Sequence, residues 1–162
     1  EAGFPAGRGF PVVDARTSHS LGPLGLYLAE QWREALDVEI RWERLPWTDF
    51  LASLYREPLH LFLVGWLAPY PDPDNFLRMS PAWSSTRWHN EVYAQLVEQA
   101  RGIPDQEERM RLYRDADRIL VEEAAVMPLT YRRMHLLVKP WLSRYPTSAI
   151  KQWFWKDAVI GQ

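Results

Sequence analysis

The chain has 162 residues, a formal net charge of −2 and no cysteine, and 47% of its residues are hydrophobic. Such a chain can bury one core of ordinary domain size, and cysteine-based disulfides, nucleophiles and zinc sites are excluded together. The small net charge argues against nucleic acid as a partner. No apolar stretch approaches the roughly 20 residues that span a bilayer, so no membrane span is expected.

The first half of the chain alternates strand and helix patterns. A weak strand at 11–16 precedes a helix that Ser20 is suited to cap and that ends near Asp37. A second strand pattern at 38–45 follows. The order is that of a β-α-β unit, which favours parallel strands.

A further helix and strand extend this order. Thr48 is suited to cap a short helix that Pro58 stops, and the apolar run at 59–64 has the length of a buried strand. The resulting β-α-β-α-β order predicts a parallel sheet with right-handed crossovers and flanking helices, which is an α/β fold.

The second half is more helical. Either His89 or Asn90 can cap a helix that reaches about residue 101 and is closed by Gly102. Its expected apolar positions are Val92, Leu96 and Val97.

A second helix in this half has the clearest signals. Asp105 and Glu108 have the spacing of a capping box, and an apolar face extends to about residue 124. Two short extended segments, 129–132 and 135–138, are expected beyond it.

The loop after the apolar strand has an unusual composition, with Trp66, Tyr70, prolines and aspartates close together. Ligands of open α/β sheets usually bind at the C-terminal ends of the strands, so this loop is a candidate binding edge. The alternative is that Pro71, Asp72, Pro73 and Asp74 only form turns and cap the next helix.

Motifs for catalysis or metal binding are lacking. The sequence has no phosphate-binding loop, nucleophile elbow or zinc-protease motif, and adjacent Glu122 and Glu123 would point about 100° apart on a helix. We therefore predict no enzyme activity, no cofactor and no metal site. The histidines show no ligand spacing and lie far apart, at His19, His60, His89 and His135.

Several segments together resemble the C-terminal part of the family 5 extracellular solute-binding proteins, the peptide- and nickel-type receptors of ABC importers. The matching segments include GFPAGRGFPVV, GWLAPYPDPDNFL, WHNEVYAQLVEQA and LVKPWL. The resemblance implies the second lobe of a two-lobed periplasmic-binding-protein fold. Residues 1–128 would form the ligand-binding lobe, and residues 129–162 would return to a first lobe that is absent from this chain.

The resemblance also implies where a ligand binds. In peptide-binding members, the main chain of the matching segment bonds to the peptide in the manner of strand addition. The implied ligand-binding residues here are Gly65, Trp66, Leu67, Ala68, Pro69 and Tyr70. Those members usually carry an aspartate where this chain has Pro69, and that aspartate pairs with the ligand's amino terminus. The substitution favours ligands without a free amine, such as N-blocked peptides, sugars or uncharged amphiphiles.

Two functions follow from the resemblance. The first is the substrate-binding component of an ABC importer for peptides or similar small solutes, located outside the cytoplasm and working with a transporter permease. The alternative is a ligand-sensing domain of a cytoplasmic regulatory protein with the same fold.

Overall fold

The computed structural model describes residues 3–56, 60–78, 86–131, 133, 135–145 and 155–161. These residues divide into two compact units, one formed by residues 3–65 with 86–87 and the other by residues 66–78 with 88–161. None of the helices in the described ranges combines the length and apolarity that a bilayer crossing requires.

The first unit is a parallel sheet with helices between its strands. Its elements follow the predicted order, namely β1 (Val13–Thr17), α1 (Gly22–Leu36), β2 (Ile40–Arg44), α2 (Trp47–Arg56) and β3 (Leu61–Leu63). The strand order is β2-β1-β3, and both pairings are parallel. The predicted parallel sheet is therefore confirmed, with β1 at its centre.

The central strand β1 buries one of its two faces. Val13, Ala15 and Thr17 alternate along the strand and are all buried. Residues at period two share one face of a sheet, so this strand presents one continuous buried face. On α2, Phe50 is fully buried and its ring centroid lies 6.4 Å from that of Phe62 in β3.

Two predicted helix caps in this unit are wrong. Leu21 occupies the N-cap position of α1, but its side chain forms no capping hydrogen bond. Pro23 follows in the first turn, where the missing backbone N–H has no cost because that N–H would have no partner within the helix. In α2 the Phe50 N–H donates to the Pro46 carbonyl over 2.8 Å, so the helix begins before Thr48. Ser20 and Thr48 therefore lie outside the capping positions.

The second unit is mainly helical. It contains α3 (Pro73–Leu77), α4 (Glu91–Arg101), α5 (Gln106–Glu122) and the short antiparallel strands β4 (Leu142–Ser143) and β5 (Val159–Ile160). The described residues of the predicted extended segments 129–132 and 135–138 form no strand.

The predicted caps of α4 and α5 are confirmed. The Asn90 side-chain oxygen accepts the Tyr93 N–H over 2.9 Å, and the Asp105 carboxylate accepts the Glu108 N–H over 2.8 Å. Gly102 closes α4 with an ordinary helical φ of −87° rather than a left-handed one.

The core of the second unit lies between α4 and α5. Its buried side chains recur at helical spacing, namely Tyr93, Val97 and Ala100 on α4 and Leu112, Tyr113, Ala116 and Leu120 on α5. Val92 was expected on the inner face but is 57% exposed, because it lies about 100° around the helix from Tyr93.

Candidate functional site

The candidate ligand-binding residues form one irregular stretch, the binding segment, at residues 65–70. It follows β3 along the chain after a single residue, Val64. Ala68 is only 5% exposed, whereas Trp66, Leu67 and Tyr70 are 39%, 52% and 38% exposed. The segment is therefore anchored near its middle while its larger side chains reach solvent.

Side-chain hydrogen bonds from two aromatic residues attach the binding segment to α3. The indole N–H of Trp66 donates to the Asn75 side-chain oxygen over 2.6 Å, and the Tyr70 hydroxyl donates to the Asp74 carboxylate over 3.0 Å. Both acceptors lie in α3 and are buried. Because the two bonds flank Ala68, they restrict the segment on both sides of its buried methyl group.

Asp74 is a buried carboxylate at the centre of a polar cluster. The Arg78 guanidinium donates to its carboxylate from Nε over 2.8 Å and from Nη2 over 2.6 Å, and the Tyr113 hydroxyl lies 3.5 Å away. Hydrogen bonding to Arg78 lowers the pKa of Asp74 below its usual value, with a further contribution from Tyr70. Burial raises the pKa of Tyr113. Asp74 is therefore a charged group that is already neutralised within the fold.

Asp72 connects the same loop to α5. One of its oxygens accepts the Asp74 N–H over 2.9 Å and thereby caps α3. The carboxylate also pairs with Arg109, whose Nη2 lies 2.7 Å and 2.6 Å from its two oxygens. The Arg109 guanidinium lies 5.2 Å from the ring centroid of Tyr113, so a cation–π contact supports the pair.

The capping role expected for the proline and aspartate motif is thus present, although it does not account for the whole loop. The backbone N–H and C=O groups of Trp66, Leu67 and Ala68 form no hydrogen bond with any residue that the structure describes. Buried backbone polar groups are almost always paired, and Ala68 is buried. The binding segment therefore offers main-chain donors and acceptors that the described chain does not use.

The glycine at the start of the segment is not required by local packing. A Cβ added to Gly65 would meet no atom within 4 Å, and its φ lies outside the left-handed region. A methyl group at this position would therefore be accommodated by the described chain.

No metal site is found in the part of the chain that the structure describes, since no group of three or more histidine, aspartate or glutamate residues lies close enough to hold an ion. His19 and His60 instead take part in hydrogen bonds with other residues, and His60 Nδ1 accepts the Asp14 N–H over 3.1 Å.

Three residues of the site were missed by sequence reasoning. The Arg78 to Asp74 pair has the i,i+4 spacing of helical ion pairs, so that contact had a readable signal. Asn75 and Arg109 had none, because their partners Trp66 and Asp72 are brought to them only by the folded loop.

The known proteins to which this chain is similar include periplasmic binding proteins. No protein-family model matches the chain. It is 28% identical over 149 residues to the periplasmic oligopeptide-binding protein of Salmonella typhimurium, covering 90% of this chain and 27% of that protein. It is also 27% identical over 122 residues to a probable deoxycholate-binding periplasmic protein of Escherichia coli, covering 74% of this chain and 23% of the relative.

A solved structure shows the same fold. The murein tripeptide-binding protein of Escherichia coli superposes with a TM-score of 0.75 at 22% identity, covering 93% of this chain and 30% of that protein. The chain therefore has the α/β fold of part of a two-lobed periplasmic binding protein, as predicted. It spans about a quarter of the length of the curated relatives it matches.

Proposed function

We propose that this chain, a homologue of the family 5 extracellular solute-binding proteins, is the C-terminal lobe of the substrate-binding component of an ABC importer. Its ligand is a small peptide or a similar small solute, which is bound and released without chemical change. The observation that carries this proposal is that, among the residues that the structure describes, none forms a hydrogen bond with the main chain of Trp66, Leu67 or Ala68.

The physical argument is one of hydrogen-bond satisfaction. A buried backbone group without a partner costs about as much as a lost hydrogen bond, so a ligand that supplies one gains affinity. An extended peptide carries N–H and C=O groups at regular intervals and can pair with a second chain by strand addition. Because main-chain bonds do not depend on side chains, this mode accepts peptides of varied sequence.

The lack of charged residues in the binding segment limits the class of ligand that it can bind. The segment has no charged residue, and Pro69 offers neither a carboxylate nor an N–H. The nearest acids along the chain, Asp72 and Asp74, are paired with Arg109 and Arg78. A ligand ammonium here would lose hydration without gaining a counter-ion, which favours N-blocked peptides or uncharged solutes.

Exposed side chains in residues 129–162 support the first lobe of the receptor as a partner. Tyr131, Leu137 and Ile160 are 95%, 102% and 75% exposed, so their side chains are available for contact with another surface. We propose that residues 129–162 pack on the first lobe of the same receptor and that residues 1–128 form the ligand-binding lobe.

The remaining partners follow from the same proposal. A receptor of this kind works outside the cytoplasm, as the periplasmic names of the relatives suggest, and delivers its ligand to a transporter permease. Neither of the two relatives described above is named as a regulator.

Binding can be tested on the chain by amide NMR. Titration of the ¹⁵N-labelled protein with N-acetyl-trialanine is expected to produce its largest shifts in the amide signals of Trp66, Leu67 and Ala68. Affinity should be millimolar or weaker, compared with roughly micromolar for a two-lobed receptor, because one lobe supplies only half of a closing cleft.

A matched pair of glycine variants provides the control. Gly65→Ala should weaken binding without loss of stability, since the added methyl group meets only open space in the ligand-free protein. Gly102→Ala adds the same group at an ordinary φ, 3.7 Å from the Gln99 carbonyl, and should leave binding unchanged. Equal effects of the two variants, or shifts confined to residues outside 65–70, would contradict the proposed site.

A further inference from the structure

The Trp66 to Asn75 hydrogen bond joins an accessible aromatic ring to one of the most buried polar groups in the protein. Trp66 is 39% exposed, whereas Asn75 is 1% exposed. The bond spans 2.6 Å and closes a nine-residue separation along the chain. The Trp66 ring is therefore partly exposed to solvent, while its N–H is hydrogen-bonded to a buried side chain.

The burial of Asn75 makes this contact difficult to break. If the indole swung away, the amide oxygen would lose this bond in a place where water cannot readily replace it. A half-exposed tryptophan without such a partner would sample several rotamers. The hydrogen bond restricts Trp66 to the rotamers in which its N–H reaches Asn75.

From this geometry we infer that Asn75 is a positioning residue, which fixes the Trp66 indole as a stacking surface for an apolar or planar group of the ligand. Asn75 itself need not touch the ligand, because its action passes through the ring. This inference rests on the proposed function and deepens it by naming what the segment recognises besides a peptide main chain. Pre-organisation of this kind raises affinity by removing the cost of ordering a side chain during binding.

The bond between Tyr70 and Asp74 provides a matched comparison. It attaches the other end of the same segment to the same helix, over 3.0 Å, but it does not involve Trp66. Tyr70→Phe therefore removes one hydrogen bond from the segment while leaving the proposed positioning contact intact.

The first test concerns the ligand-free protein. Hydrogen exchange of the Trp66 indole N–H, assigned by its absence in Trp66→Phe, should be slower than that of Trp47, which is 50% exposed and has no indole hydrogen bond among the described residues. Asn75→Ala should remove the protection and Tyr70→Phe should retain it. Exchange of Trp66 as fast as that of Trp47 would overturn the inference.

The second test is a double-mutant cycle for binding of N-acetyl-Ala-Phe-Ala, followed by NMR. Asn75→Ala should weaken binding roughly 2- to 10-fold, the range expected for one hydrogen bond, and should have no further effect in a Trp66→Phe background. An equal loss in both backgrounds would show that Asn75 acts on the fold and not through the ring.

Two further outcomes are informative. If Asn75→Ala does not fold, Trp66→Phe tests the same bond from its donor side, since it changes a half-exposed ring and should lower affinity by a similar factor. Unchanged affinity in Trp66→Phe would then overturn the inference. If peptide at its solubility limit shifts no amide signal of the wild type, peptide binding by this lobe is refuted, whereas the exchange test still decides whether Asn75 fixes the indole.

Discussion

Replacement of Asp74 by asparagine should destabilise the protein in a pH-dependent manner. The carboxylate accepts two hydrogen bonds from Arg78 and one from Tyr70, and its residue is 7% exposed. Charge-assisted hydrogen bonds contribute about 1.5–3 kcal/mol each when sheltered, but the Arg78 side chain is 35% exposed, so solvent screening reduces their value. We expect Asp74→Asn to cost about 1–2 kcal/mol near pH 7, or about 2–8 °C in Tm.

The pH dependence follows from the direction of the pKa shift. Because the pKa of Asp74 is lower in the folded protein than its ordinary value of 3.8, its stabilising effect is fully present above that value. The effect is lost as the pH falls through the lower folded pKa. The difference in Tm between wild type and Asp74→Asn should therefore be largest near pH 7 and should shrink as the pH falls below 3.8.

Thermal unfolding followed by circular dichroism across this pH range measures the difference directly. Asp115→Asn is a suitable control, because Asp115 pairs with Arg111 and Arg118 on the exposed side of α5. Such surface pairs contribute about 0–1 kcal/mol. A Tm difference for Asp74→Asn that stays constant between about pH 7 and pH 2 would refute the reasoning, since it would show that the charge is not the stabilising feature.

Three further changes have definite expected results. Leu120→Ala removes a side chain that is 2% exposed and should cost about 2–5 kcal/mol in urea unfolding; a cost below about 1 kcal/mol would contradict the assigned core. Asp105→Ala removes the cap of α5 and should cost about 1 kcal/mol in the same assay, whereas no cost would show that the cap is dispensable. Pro69→Asp should increase affinity for trialanine relative to N-acetyl-trialanine, by tenfold or more if the site is sheltered; parallel changes in both, measured by NMR titration, would contradict the charge argument.

The sheet of the first unit could be predicted because its signals are local and agree with one another. The apolar run of β3 and the alternating order of helices and strands require only chain neighbours to be read. The end of α1 at Asp37 could also be predicted, and this residue adopts a left-handed φ of 54° there. The start of α1 could not, since Ser20 is a good cap by composition but Pro23 is already placed in the first turn.

The candidate site was predictable as a stretch of chain but not as a set of contacts. The aromatic and proline residues identify the segment. Its place after the C-terminal end of a strand predicts that it is a ligand-binding edge. The contacts that fix it, from Asn75 to Trp66 and from Arg109 to Asp72, join residues whose proximity depends on the folded loop and on α5. No spacing rule connects residues separated in this way, so their partners became evident only from the structure.

The central position of β1 in the sheet has a consequence for the order of folding. Both strand pairings of the first unit include β1, and β2 and β3 each pair only with it within this sheet. During synthesis β1 leaves the ribosome before either of its neighbours, and it must wait for β2 to form the first pairing. All three strands that the structure describes in this sheet have emerged once Leu63 has, before the helices α4 and α5 exist. Domains generally fold as units from the N-terminus, so the first unit can assemble as a nascent chain while the second is still being made.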